Sequence, residues 1–232
     1  MLVFLGRAAR NRARIAAIRD GAPTAVEALA RMFTDDRIAD DGTVPGRLRA
    51  ILAATENRFV PGLHNGMKIG LSGFREEYQD PWESSSDQVG HFLTAVRLCI
   101  FPGFLSNPLF PLLLGRRRDD DLPLRLAIGH EKAPDPPGRI TGLRTLCTSL
   151  SRLRAQCRAA TAEDIDSFRA GNLDDIQVGT GVGNSTADLR LSYIGWSFGQ
   201  TFREGQFRSN QEIAAWVRSV LGGPGPALSP NG

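Results

Sequence analysis

SSSDQVGHFLTAVRLCIF, Ser84–Phe101, is the stretch that decides the fold. It opens with serines, and Ser85 and Gln88 have the S-x-x-Q spacing of a capping box. From there it runs almost wholly apolar to Pro102, and past the first turn its only strongly polar residues are His91 and Arg97. A helix that is apolar on most faces is stable only when other elements cover it. Strand-like alternation is nearly absent elsewhere, so those elements must be helices. The sequence therefore predicts an all-α fold, a compact single-domain helical bundle of about seven or eight helices.

Downstream, residues 98–114 carry no charge. Pro102, Pro108 and Pro111 argue against a straight membrane-spanning helix and favour a connector covered by protein. The charge-balanced run Arg116–Asp121 then leads to an apolar helix, Leu122–Lys132, which Pro134, Pro136 and Pro137 stop. Arg139–Ala160 is the clearest helix. Leu143, Leu146, Leu150, Leu153 and Cys157 form a seam at alternating spacings of three and four, with Arg144, Arg152, Arg154 and Arg158 off it. That helix has no aromatic residue to stack a base, which weighs against a nucleic-acid partner. Helices follow at Thr161–Phe168, Thr186–Arg203 and Asn210–Leu221. The first two begin with the capping spacings Thr161/Asp164 and Ser185/Asp188. Residues 222–232, rich in Gly and Pro, read as a disordered tail. The core is expected from helices 86–101, 140–160 and 186–203, within a helical domain over 21–221.

Upstream, residues 1–19 hold five arginines (Arg7, Arg10, Arg12, Arg14, Arg19) and no acid. Without them the 28 basic residues fall below the 25 acidic ones, so the net charge of +3 belongs to this basic N-terminal arm, 1–20. The arm and the 98–114 stretch are the candidate docking surfaces for a protein partner or an anionic surface. Thr24 caps a helix at Ala25–Phe33, with Glu27 three residues on. Asp35, Asp36, Asp40 and Asp41 lack the alternating order of a calcium loop and read as a solvated turn. Pro45 opens a helix through about Arg58, and residues 60–83 form a long irregular segment. Cys99, Cys147 and Cys157 are odd in number and sit in apolar helices, which predicts buried free thiols and a cytoplasmic protein, membrane-peripheral if the uncharged stretch docks on lipid.

Four groups carry candidate chemistry. His91 has Asp87 four residues before it and Gln88 three before, either of which can reach the ring along one helix face. An acid–imidazole pair is the arrangement of a general base or of a ligand histidine. His130-Glu131 ends an apolar helix, and Glu131 is a candidate general acid. The second histidine of H-E-x-x-H is missing, and adjacent helical residues point about 100° apart. The glycines Gly179, Gly181 and Gly183 precede a helix without a dinucleotide or P-loop order, so they read as a turn. Glu76, Glu77, Asp80, Glu83, Asp174 and Asp175 offer carboxylate pairs of the kind used in glycoside hydrolysis. No spacing names a cofactor or a metal.

Four segments together resemble a bacterial all-helical family with no settled activity: GFREEYQD (Gly73–Asp80), DQVGHF (Asp87–Phe92), GHE (Gly129–Glu131) and GNSTADLRLS (Gly183–Ser192). The resemblance covers about a third of the chain. It implies that His91, His130, Glu131, Asn184 and Asp188 come together, and it supplies no reaction. The functional expectation is a hydrolase, acting on a glycan, with His91, His130 and Glu131 catalytic and Asp87, Gln88, Asn184 and Asp188 binding the ligand. The competing expectation is a non-catalytic interaction or membrane-surface protein.

Overall fold

A computed structural model describes residues 2–55, 73–79, 88–101, 121–133, 151, 154–179 and 185–223. Among these the chain is helical throughout, with no strand and one isolated antiparallel bridge, Phe74 to Gly222. The all-α expectation is what the structure shows. The helices are α1 (Leu2–Gly21), α2 (Ala25–Thr34), α3 (Val44–Thr55), α4 (Gln88–Ile100), α5 (Leu122–Lys132), α6 (Ala162–Ala170), α7 (Thr186–Arg203) and α8 (Asn210–Leu221). Residues 154–159 are also helical, and single 3-10 turns lie at Glu76–Tyr78 and Leu173–Asp175. The chain expected as a single domain divides into two compact units. One is formed by residues 1–79, 84–93 and 201–232, the other by 80–83 and 94–200. The division falls inside α4, after Leu93, and inside α7, after Gln200.

In the first unit, α2 is the centre. Its sequence is apolar nearly all round, and Leu29, Ala30, Met32 and Phe33 are wholly buried. Thr24 caps it by accepting the Glu27 N–H at 3.1 Å, as its spacing predicts. α2 packs against α8 and α1, and α1 packs against α3. Glu27 also receives the Arg218 guanidinium of α8 at 2.8 Å. The Arg218 hydrogen bond, together with Arg31, holds the Glu27 carboxyl below its usual range despite its partial burial.

The arginine-rich segment is part of this body. Ile15 and Ile18 are buried, and Asn11 clasps the Ala39 backbone, donating to its oxygen and accepting from its N–H, both at 2.9 Å. Arg7 donates to the Ala39 and Asp40 carbonyls, Arg12 to the Ala54 carbonyl, and Arg14 pairs with Asp35. The acidic turn correspondingly departs from the solvated loop its sequence suggested. Asp35 serves Arg14 and Arg37, and Asp40 forms a nearly buried pair with Arg47 of α3. The Arg47 guanidinium also donates to the carbonyls of Met32 (3.4 Å), Phe33 (3.2 Å) and Asp35, the orphan acceptors at the end of α2.

Gly222 and Gly223, which the sequence placed in the tail, are tied down. Arg75 N–H donates to the Leu221 carbonyl at 2.9 Å and Gly223 N–H to the Gly73 carbonyl at 3.0 Å. Residues 224–232 lie outside the described residues, as do 102–114 of the uncharged stretch and most of the Arg139–Ala160 seam. Of that seam, Cys157 is described, and it is buried.

The second unit is organised around α5. Leu124 and Ile128 join Ala160, Ile165, Phe168, Leu173, Ile176 and Leu189 in one cluster. Leu122, Leu126 and Ala127 join Leu98 and Cys157 in another, and Trp196 packs on both. A helix covered on both sides has no face for ordinary polar residues, so the polar groups at its end need partners. Lys132 finds the Asp164 carboxylate at 2.6 Å, and Asp164 in turn closes a capping box with Thr161 at the start of α6. Burial works to raise the Asp164 carboxyl, but Lys132 and the Thr161 N–H and hydroxyl outweigh it and hold the carboxyl below its ordinary value. Cys99 and Cys157 are both buried, as predicted. No described helix is long and apolar enough to cross a membrane.

Candidate functional site

Glu131 follows from the position of α5. It lies at the end of a helix with two covered faces, and it is fully buried. The backbone around it is held by the chain that returns after α6. Gly179 N–H donates to the Glu131 carbonyl at 2.9 Å, and Ser185 N–H approaches the carboxylate Oε2 at 3.4 Å. Ser185 stands immediately before α7. Its hydroxyl accepts the Asp188 N–H at 3.0 Å and its carbonyl the Leu189 N–H, the capping role its spacing predicts. The carboxylate therefore faces the start of an 18-residue helix, where the peptide dipoles favour negative charge.

His130 precedes it on α5 with its side chain 37 % exposed. Adjacent helical residues ordinarily diverge, yet His130 Nε2 and Glu131 Oε1 are 4.0 Å apart. The ring is held from its other side, where the Gln156 amide lies 3.0 Å from Nδ1. This contact depends on Gly129. A Cβ there would sit 1.9 Å from the Gln156 carbonyl oxygen, so only glycine lets α5 and the 154–159 helix meet this closely.

His91 is half-buried on α4. This helix is unbroken from Gln88 to Ile100, and Leu98, two turns further on, packs with Leu122 and Leu126 of α5. Gly199 of α7 fits against Cys99 where a Cβ would be 2.6 Å from the cysteine Cβ. Of the three residues named as catalytic from the sequence, His130 and Glu131 lie together at the end of α5 in the second unit, and His91 lies in the part of α4 that belongs to the first.

The ligand-binding candidates fare differently. Gln88 and Asp188 are both fully buried, Gln88 one turn before His91 and Asp188 in the first turn of α7. Asp87 and Asn184 lie outside the described residues. Asp174 and Asp175 are exposed, and Asp174 pairs with Arg190 at 3.2 Å. Gln156, Gly129 and Ser185 take part in the site without having been singled out as site residues. Two left a signal. Gly129 is a glycine inside a helix, where it costs about 1 kcal/mol relative to alanine and so points to close packing. Gln156 is an amide directly beside a seam position.

Chemically, an imidazole 4.0 Å from a dry carboxylate can exchange a proton with it or with water. Comparisons with protein-family models, curated proteins and solved structures give no match for this chain.

Proposed function

We propose that this chain is a hydrolase whose reacting centre is built on His130 and Glu131. The observation that supports it is a fully buried glutamate whose Oε1 stands 4.0 Å from Nε2 of the partly exposed His130 ring. Burying a carboxylate is costly unless it is partnered. In this reading Glu131 takes a proton from water as the water oxygen attacks the substrate's electrophilic centre. The protonated His130 imidazole then delivers its proton to the leaving group.

The group contains a single carboxylate. It therefore supports water attack on an ester or amide better than glycoside cleavage, which works between two carboxyls. For a glycan substrate the second carboxyl would have to come from Asp188, buried in the first turn of α7.

Docking through residues 1–19 draws less support, because Arg7, Arg12, Arg14 and Arg19 already have acceptors in their own unit. The test is hydrolysis of a panel of chromogenic esters, amides, phosphoesters and glycosides by the full chain. Glu131→Gln and His130→Ala should each lower any activity at least a hundredfold while remaining folded by circular dichroism. Two folded, fully active variants would end this reading.

A further inference from the structure

We infer that Gln156 is the positioning residue of this site: its amide oxygen takes the Nδ1 hydrogen of His130 and so keeps Nε2 as the nitrogen that carries and delivers the proton. The inference deepens the hydrolytic reading and rests on it for the reaction step, but the state of the ring can be measured without any substrate. Gln156, His130 and Glu131 all belong to the second unit.

The placement of the amide is the first argument. Gln156 is buried, 6 % exposed, whereas the His130 side chain is 37 % exposed. A partly exposed ring at the end of a helix samples several rotamers unless something holds it. The amide lies 3.0 Å from Nδ1, and Nε2 then stands 4.0 Å from the Glu131 carboxylate. The backbone that carries the amide is fixed against α5 at two places. Gly129 packs on the Gln156 carbonyl, where a Cβ would lie 1.9 Å from the oxygen. Arg125, one turn earlier on α5, donates to the Ala160 carbonyl at 2.7 Å.

Proton bookkeeping is the second argument. A histidine that is to deliver a proton carries hydrogen on both nitrogens beforehand. An acceptor must then face Nδ1, and half a turn of the amide presents its oxygen there. Once the Nε2 hydrogen has passed to the leaving group, Nδ1 keeps its own and the same hydrogen bond persists, so the ring need not move. The Glu131 carboxyl, which took its proton from water, returns that proton to the Nε2 lone pair, and both groups regain their starting states. Because glutamine is neutral, it orients the ring without adding a second negative charge beside Glu131.

The experiment is long-range ¹H–¹⁵N correlation NMR of the histidine rings in the full chain, repeated with Gln156→Met and Gln156→Glu, the His130 signals being assigned by their loss in His130→Ala. With the ring neutral, the parent should hold its hydrogen at Nδ1. Gln156→Met offers only a weak acceptor and should show a mixture of the two neutral forms, whereas Gln156→Glu keeps an acceptor oxygen and should retain the parent form. On a substrate that the chain hydrolyses, Gln156→Met should lower kcat about tenfold or more with KM little changed, and Gln156→Glu should recover most of that loss. The parent spectrum is decisive by itself, so a variant that fails to fold does not remove the test. A parent ring with its hydrogen at Nε2, or a folded Gln156→Met protein with an unchanged ring, overturns the inference and leaves the hydrolase reading to the substrate panel. The expected ring form without hydrolysis of any substrate upholds Gln156 as the residue that sets the ring and removes that reading.

Discussion

Gly129→Ala should damage the site without replacing His130 or Glu131. A Cβ at position 129 would lie 1.9 Å from the Gln156 carbonyl oxygen and 2.5 Å from its carbon, whereas ordinary contact begins near 3.4 Å. The 154–159 helix must retreat from α5 by about 1.5 Å, since the obstacle is backbone and cannot rotate away. The Gln156–His130 contact starts at 3.0 Å and ceases to be a hydrogen bond beyond about 3.5 Å, so a retreat of this size breaks it. Overpacking costs about 1–3 kcal/mol, and alanine's helix preference returns about 1 kcal/mol. The net loss is about 0–2 kcal/mol, or up to about 8 °C in melting temperature for a chain of this size. Loss of the Gln156 contact should free the His130 ring. Gly6→Ala is the control, because nothing lies within 4 Å of its Cβ, and it should keep or slightly raise stability. The assay pairs thermal unfolding with NMR of the His130 ring. A Gly129→Ala protein with undiminished melting temperature and an unchanged His130 ring signal would refute the packing argument.

Other consequences follow from the ion pairs. Arg47→Met removes the partner of Asp40, whose side chain is only 9 % exposed, and strips three carbonyls at the end of α2. Urea unfolding should show a loss of about 3–5 kcal/mol, and adding Asp40→Asn should recover part of it. Asp164 has a carboxyl held below its unfolded value of about 3.9, so its contribution is complete above that pH and is lost as the pH falls through the lower folded value. Asp164→Asn should therefore destabilise the chain by about 1–3 kcal/mol at pH 7 and converge with the parent once the pH falls below the carboxyl's lowered folded-state value. A constant gap across that range, followed by thermal melting, would contradict the assignment.

Local signals in the sequence were read correctly where the chemistry was itself local. Thr24 with Glu27, Thr161 with Asp164 and Ser185 with Asp188 mark helix starts because a side chain three residues away satisfies an orphan N–H. α5 and its end at Lys132 were equally legible from an apolar run closed by prolines. Tertiary electrostatics were not. The aspartates of the 35–41 turn look solvated in isolation, and only folding supplies Arg14 and Arg47 as counter-ions. Burial of α1 was understated because Ile15 and Ile18 give too few apolar positions to reveal the covered face.

For the site, the sequence pointed to His91, His130 and Glu131 on the grounds of rarity within apolar helices, and the structure buries Glu131 beside His130. It also suggested that His130 and Glu131 need not share a target, since neighbours on a helix diverge. The packing of α5 against residues 154–159, set by a single glycine, is a long-range fact that no local pattern encodes.

The account turns on His130 and Glu131, side by side at the end of α5, serving one centre. The most direct measurement is hydrolysis of the chromogenic panel by the full chain beside Glu131→Gln and His130→Ala. Activity that falls at least a hundredfold in both folded variants is the expected result. Undiminished activity in both would contradict it.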